Sequence, residues 1–223
     1  MRPYQDRTFQ SAGEYLKQTE PAVRNLFGSL EEYHAIGEKI KWPGFISPYT
    51  SEAPSEAAFK KWQRRNREAY KRAAARLRKY LGYRFSIGTL YGSILQIANM
   101  GISLYSRNKA VPPEFLSIIK PGSKVARFCI GRRVREVPIG LIIYAARNQY
   151  AHWDEPHLKN EVNEWVFNSL ATKHGMDGAE KFKDPNFDLN NKTILIYSSN
   201  VFSILVWNGY DNYIEDMKDL LIL

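Results

Sequence analysis

A segment without any charged residue lies between Arg84 and Arg107, and it constrains the fold of this chain more than any other feature. Its length raises the question of a membrane-spanning helix. Glycine, serine, threonine, glutamine and asparagine recur along it, however, and make it too polar for a convincing transmembrane segment. We therefore predict that residues 85–105 form a buried helix at the centre of a helical bundle, and we expect no membrane association.

The preceding segment, residues 60–84, has the opposite character. It contains eleven basic residues and a single acidic one, Glu68, in a chain of 223 residues whose net charge is +9. The pattern predicts a long helix that ends near Gly82, packs one stripe and presents its other faces to solvent or to phosphate. With the uncharged helix it would form a long basic helical hairpin. The stripe consists of Phe59, Trp62, Ala69, Ala73, Leu77 and Tyr80.

The amino-terminal part, residues 1–54, predicts a helical elaboration that precedes the basic helix. Its first forty residues resemble two short helices, because Glu-Pro at residues 20–21 suits a helix start and Gly-Ser at residues 28–29 suits a break. A loop containing proline and glycine follows. We expect the hydroxyl of Ser55 to cap the basic helix.

The middle of the chain contains mixed signals. A proline pair at residues 112–113 predicts a short helix through Ile119, and residues 124–130 suit either a strand or an extended arm. Pro138 is compatible with the first turn of a helix that continues through an apolar run to His152.

Three further segments complete the pattern. Residues 161–170 predict an amphipathic helix, and residues 173–191 predict a polar loop rich in Gly, Asp, Asn and Lys. Residues 194–207 contain Ile, Val and Tyr, which also suit strands, but in an otherwise helical chain we predict a helix. The sequence as a whole favours one all-α domain over residues 1–223, with additional short helices or extended arms.

The single cysteine, Cys129, excludes an internal disulfide framework and a cysteine-rich zinc site. We expect this cysteine to be buried and inert. The first seven residues are polar where a secretory signal would have an apolar region. These features favour a cytoplasmic protein whose fold depends on packing alone.

One short motif combines residue types that are suited to phosphate chemistry. Of the four histidines, only His152 lies close to an arginine and an amide at a recognisable spacing. On a helix that advances about 100° per residue, Asn148 and His152 share a face, and Arg147 starts about 140° away from His152. The arginine side chain is long enough to reach the same space.

Cleavage at an RNA phosphate needs a proton donor or acceptor near neutral pH, a fixed positive charge and a group that orients them. Histidine, arginine and asparagine supply these roles. No metal is required if the 2′-hydroxyl is the nucleophile, and the sequence contains no convincing set of metal ligands. His152 and His157 are five residues apart with Pro156 between them, which is a poor spacing for shared ligation.

The segment 147–152, Arg-Asn-Gln-Tyr-Ala-His, resembles the R-N-x-x-x-H motif of the HEPN superfamily. Its position inside an all-helical chain also resembles that superfamily. The flanking residues 131–141 look like those of plasmid- and defence-associated HEPN proteins. The motif itself covers six residues, and the rest of the chain supports only the helical class.

The resemblance implies an HEPN-like helical bundle and an endoribonuclease whose active site forms across a homodimer. His152 would act as general base or acid, Arg147 would stabilise the transition state, and Asn148 would position His152 or the phosphate. The expected products carry a 2′,3′-cyclic phosphate and a 5′-hydroxyl. Such proteins often act as toxins paired with an antitoxin or as antiviral effectors, and no cofactor is implied.

Two basic patches are candidates for binding the RNA backbone. The first lies on the basic helix, and the second lies just upstream of the motif; both suit a polyanion, although most charge runs are simply solvated helix faces. The residues that we predict to contact nucleic acid are Arg64, Arg67 and Lys71 in the first patch, and Arg132, Arg133, Arg135 and Tyr150 at and near the second.

Two alternatives stay open at this stage. An HEPN-like fold with an inert motif would only bind nucleic acid or nucleotide, with the basic helix holding phosphates. A third possibility is an interaction module that dimerises and binds a partner protein. An arginine and a histidine five residues apart also arise by chance, and they then form an ordinary structural pair.

Overall fold

The computed structural model describes residues 11–153, 161–173, 183–190 and 197–221. Most of these residues are helical, which confirms the predicted all-α class. The α-helices within these ranges are α1 (Ala12–Glu38), α2 (Glu52–Gly82), α3 (Arg84–Tyr105), α4 (Ile139–Ala151), α5 (Glu161–Thr172), α6 (Ser198–Leu205) and α7 (Tyr210–Leu221).

The segment between α3 and α4 contains short elements. Two 3₁₀ helices, Pro113–Phe115 and Val125–Phe128, precede a small antiparallel hairpin of β1 (Arg133–Val134) and β2 (Val137–Pro138). The prediction of a strand or extended arm at residues 124–130 is therefore wrong, because these residues form a 3₁₀ turn that buries Ala126 and Phe128. The helix expected through Ile119 is likewise only a short 3₁₀ turn.

The contacts divide the chain into two compact units. One unit contains the residues up to Phe27 and those from Gly88 onward, and the other contains residues 28–87. The sequence favoured one domain with an amino-terminal elaboration over residues 1–54. The structure groups the first part of α1 with the later helices instead, because contacts between residues far apart in sequence are not encoded in local patterns.

Helix α4 forms the centre of the larger unit. From Ile139 to Ala146 every residue except Tyr144 is buried, and α4 packs against α5, α6 and the second 3₁₀ helix. A helix that is apolar on all sides belongs in a protein core. The uncharged helix α3, expected at the centre, is buried on one side only: Ile94, Leu95, Ala98 and Ile102 are buried, whereas Met100 and Leu104 are exposed.

The smaller unit contains the end of α1, the loop of residues 39–51, α2 and the start of α3. Helix α2 ends at Gly82 as predicted, and Ala73 is its one fully buried residue. The Tyr80 ring lies so close to Gly37 that an added Cβ would crowd it. Tyr33 contacts Tyr83 with ring centroids 5.0 Å apart.

Two predictions for the amino-terminal part are wrong. Helix α1 is continuous through Pro21 and Gly28, because Leu16, Val23, Phe27 and Leu30 recur at helical spacing and are all buried. Burial of this stripe outweighs the roughly 1 kcal/mol by which a glycine disfavours a helix. The basic helix begins at Glu52 rather than at a Ser55 cap; Ser55 Oγ instead donates to Ser47 Oγ at 2.7 Å.

The carboxyl-terminal part contains one predicted and one unpredicted helix. A helix was predicted over residues 194–207, and α6 (Ser198–Leu205) confirms a helix rather than a strand there. Residues 194–196 lie outside the described ranges. Helix α7 was not predicted, although Tyr213, Met217 and Leu220 form a buried stripe at helical spacing. Among the described residues, no helix combines the length and apolar character that crossing a membrane requires.

Candidate functional site

The motif lies at the carboxyl end of α4, where this helix leaves the core. Arg147 and Asn148 are half-buried in the last turn, and His152 is exposed. The helix ends at Ala151, so His152 is its C-cap residue with φ −123° and ψ 34°, and its N–H donates to the Asn148 carbonyl at 3.1 Å. The expected helical placement of His152 is therefore wrong by one residue, because the chain turns away as α4 ends.

Hydrogen bonds hold the guanidinium of Arg147 in a defined orientation. Its Nε donates to Gln96 Oε1 at 2.6 Å, and its Nη1 donates to Asn148 Oδ1 at 3.2 Å. Within the described residues, Nη2 makes no hydrogen bond and no acidic side chain pairs with this arginine. Among the described residues, the site therefore presents a positioned cation without a carboxylate partner.

A chain of amides supports this arginine from both sides. Asn148 Nδ2 donates to Asn163 Oδ1 at 3.4 Å, and Asn163 is buried on α5. The sequence reasoning missed Gln96 and Asn163. Each is an amide within a largely apolar helix, and this was the signal available in the sequence. Only the fold shows that both amides meet the motif.

The two residues in the middle of the motif have structural contacts. Gln149 is buried, and its Oε1 accepts the backbone N–H of Tyr197 at 3.1 Å, which ties α4 to the start of α6. The Tyr150 ring lies directly against Gly92 of α3, where an added Cβ would overlap it. This position favours a packing role for Tyr150 over the predicted contact with nucleic acid.

Arg132, the first predicted arginine of the second patch, is held by an internal carboxylate. Its Nε and Nη2 donate to the two oxygens of Asp216 at 2.8 Å each, and Nη2 also donates to the Leu205 carbonyl. Trp207 Nε1 donates to the same carboxylate at 2.8 Å. The hydrogen bond to Asp216 is the main cause of a raised pKa for Arg132.

The other two arginines of this patch are also paired. Arg133 lies 2.5 Å from Glu114, and Arg135 lies 2.7 Å from Asp184 and donates to the Leu170 carbonyl. Arg135 has a positive φ of 49° in the turn of the β hairpin, a conformation that its two contacts help to hold. The positive charge of this patch is therefore largely compensated within the protein.

The predicted residues of the first patch lie in the other unit. Arg64, Arg67 and Lys71 are exposed on α2, and Lys71 pairs with Glu68 at 2.9 Å. The structure thus brings Arg147, Asn148 and His152 together on one helix end. Within the same unit, Arg132, Arg133 and Arg135 are bound instead by their own carboxylate partners.

Other groups that could carry chemistry are not assembled into a second centre in the described ranges. No group of three or more His, Cys, Asp or Glu residues suited to a metal occurs there. Cys129 is half-buried, and burial raises the pKa of its thiol to about 11, which leaves little reactive thiolate near neutral pH. His157 and His174 lie outside the described residues, as do Asp154 and Glu155.

Comparisons of the chain with protein-family models, with curated proteins and with solved structures gave no match. The function is therefore inferred from the motif and its surroundings.

Arg132→Ala is expected to lower the free energy of unfolding by about 1–2 kcal/mol, because Asp216 keeps its buried charge but loses two of its three donors. Urea unfolding followed by circular dichroism measures the change. Arg64→Ala, which removes an exposed arginine, is the control and should change stability by less than about 0.5 kcal/mol. Equal effects of the two substitutions would contradict a structural role for Arg132.

Proposed function

We propose that this protein is a metal-independent endoribonuclease whose active site contains Arg147, Asn148 and His152. One observation carries the proposal. The Arg147 guanidinium is oriented through Nε and Nη1 while Nη2 makes no hydrogen bond within the described residues, and an exposed imidazole follows at the end of the same helix. An oriented cation and an exposed imidazole at the end of one helix are the kinds of group needed for phosphodiester cleavage by the 2′-hydroxyl.

The proposed reaction is an internal transesterification. The imidazole of His152 accepts the proton of the ribose 2′-hydroxyl as the 2′-oxygen attacks the adjacent phosphorus. Arg147 stabilises the negative charge that accumulates on the non-bridging oxygens. The bond to the 5′-oxygen then breaks, and a protonated imidazole supplies the proton to this leaving group. The products are a 2′,3′-cyclic phosphate and a 5′-hydroxyl.

The amides around Arg147 contribute preorganisation. An arginine that is free in solution must lose rotamer freedom when it binds a phosphate, whereas Arg147 is already held by Gln96 and Asn148. The backbone carbonyl of Asn148 also accepts the backbone N–H of His152, which fixes the backbone at the end of the helix. Asn163 in turn holds Asn148 from the buried side.

The mechanism needs one general base and one general acid, and each copy of the motif has one histidine. A homodimer would supply both. Helix α3 has an apolar face that a second copy could cover, formed by the half-buried Ile97 and the exposed Met100 and Leu104. This face begins next to Gln96, the residue that orients Arg147. Apolar side chains at this spacing form a stripe that a second copy can cover.

The biological role that we propose is that of a toxin or antiviral effector, with an antitoxin as a regulatory partner.

Purified protein is expected to cleave single-stranded RNA in the presence of EDTA, because no step of the reaction requires a metal. Arg147→Ala and His152→Ala should each reduce cleavage by about 100-fold or more, since they remove transition-state charge stabilisation and proton transfer. Gel analysis with end-group chemistry should identify the cyclic phosphate.

Two further measurements make this test decisive. Arg147→Lys retains the charge but loses the planar set of donors. Its rate of RNA cleavage should therefore lie between those of the wild type and Arg147→Ala. RNA affinity should persist in His152→Ala, as measured by fluorescence polarisation. Binding without cleavage by the wild-type protein would instead favour the nucleic-acid-binding module, and neither binding nor cleavage would favour a protein interaction module.

Gln96→Leu is expected to reduce kcat about tenfold with little change in KM, because the guanidinium loses its orienting acceptor while its charge remains. Gln96→Glu keeps an acceptor for Nε but places a negative charge beside the guanidinium, so it should also lower kcat. A purely structural role would lower thermal stability in both variants without this split between kcat and KM.

Leu104→Glu is expected to shift the protein from dimer to monomer and to abolish cleavage, because a charge on the apolar stripe of α3 opposes packing of a second copy. Sedimentation velocity measures the oligomeric state. Leu116→Glu, which alters another exposed leucine of the same unit, is the control. A wild-type activity per molecule that does not fall on dilution would contradict a composite site.

A further inference from the structure

The smaller unit contains a continuous row of aromatic rings along α2. Phe59 and Trp62 are stacked, with centroids 5.7 Å apart and an interplanar angle of 19°. Trp62 contacts Tyr70 at 5.6 Å, and Tyr70 contacts Trp42 at 5.6 Å. Phe45 from the preceding loop contacts both Phe59 and Trp62. We call these five residues the aromatic row.

The aromatic row is more open than a core would be. Trp42 is 46% exposed and Phe59 is 37% exposed, while the other three rings are half-buried. Large aromatic side chains are usually buried because they contribute most of the apolar area in a core. Exposed rings on α2 and on the loop before it therefore point to a ligand that covers them.

Cations border the aromatic row on both sides. On an α-helix, Arg67 lies about 60° around the axis from Tyr70, and Arg65 lies about 60° from Trp62 on the opposite side. Both arginines are exposed. In the described part of the chain, the ion pairs that hold α2 cations are Lys60 with Glu56 and Lys71 with Glu68, so most of the positive charge of this helix is uncompensated.

The arrangement of these cations opposes the helix that carries them. Like charges four residues apart destabilise a helix by a few tenths of a kcal/mol per pair. A polyanion would relieve this repulsion, because each phosphate neutralises nearby cations. Such pairs occur at residues 60 and 64, 61 and 65, 67 and 71, and 72 and 76.

A cavity in the same unit continues the aromatic row. It measures about 500 Å³ and is lined by Trp42, Tyr80, His34, Glu38 and Leu77, together with Gly37 and Ile40. This volume lies within the range of small-molecule pockets. Trp42 belongs both to the aromatic row and to the wall of this cavity. A ligand that covers the row can therefore extend into a cavity lined by aromatic and polar side chains.

We propose that this surface of the smaller unit binds single-stranded nucleic acid, with bases on the aromatic row and phosphates on the flanking cations. Bases stack on aromatic rings whatever their sequence, while a positively charged groove follows the backbone. A duplex fits less well because its bases are already stacked within the helix. The site belongs to residues 28–87, whereas the proposed active site belongs to the other unit, so binding does not depend on cleavage.

The test uses the full chain with His152→Ala, which keeps RNA intact whatever the outcome of the cleavage experiment. The probe is a fluorescein-labelled oligouridylate of about 15 nucleotides, which is long enough for a single-strand site. Arg65→Gln and Arg67→Gln together should weaken binding about fivefold or more and reduce the slope of log affinity against log salt concentration by about 1.4. Lys109→Gln and Lys120→Gln, a matched charge change in the larger unit, should weaken binding less than about twofold.

The aromatic row is tested separately from the charge. Phe59→Leu with Trp42→Leu should weaken binding about fivefold or more while leaving the salt slope unchanged, because stacking is lost and no phosphate contact is removed. Circular dichroism and thermal unfolding verify that both sets of variants are folded. An equal loss in the lysine control, no effect of the aromatic variants, or equally tight binding of duplex RNA would overturn the proposal. Preference for vesicles that contain phosphatidylserine over the oligonucleotide would overturn it in favour of a membrane surface.

Discussion

Burial of the first two turns of α4 is the constraint on which the rest of the larger unit depends. The run from Ile139 to Ala146 is covered by α5, α6 and the second 3₁₀ helix, and Gly140 lets the backbone at Phe128 approach closely. Because the first two turns are held in the core, the last turn has a defined position where it reaches the surface. Arg147 and Asn148 occupy that turn, and their amide partners come from α3 and α5. Packing of the apolar turns of α4 therefore fixes the position of the polar residues at its end.

The basic residues of this protein fall into two physical groups. Arg132 and Arg135 lie against carboxylates and backbone carbonyls, where their charge stabilises the fold by joining segments that are distant in sequence. The cations of α2 mostly lack such partners in the described ranges and remain exposed. Net charge alone does not distinguish the two groups, since both appear as clusters of Arg and Lys. Only the second group is available to a polyanion without breaking internal ion pairs.

Several elements of the fold follow from local patterns, and several do not. Helices α2, α3 and α5 were predicted because their apolar residues repeat at helical spacing and their boundaries coincide with Gly82 or with changes in polarity. Helix α1 was predicted as two helices, because Pro21 and Gly28 are local signals that do not report the burial of Phe27 and Leu30. The division into two units was also not foreseen, since it depends on contacts between residues far apart in the chain.

For the candidate site, the sequence by itself determined the residue types and their spacing: an arginine, an asparagine and a histidine near the end of an apolar helix. The tertiary structure decided which atoms are engaged. It placed His152 just beyond the helix, brought Gln96 and Asn163 to the motif, and directed Arg132, Arg133 and Arg135 to internal carboxylates. The reason is physical, because spacing along a chain sets the face on which a side chain lies, whereas its partners come from segments that only packing brings together.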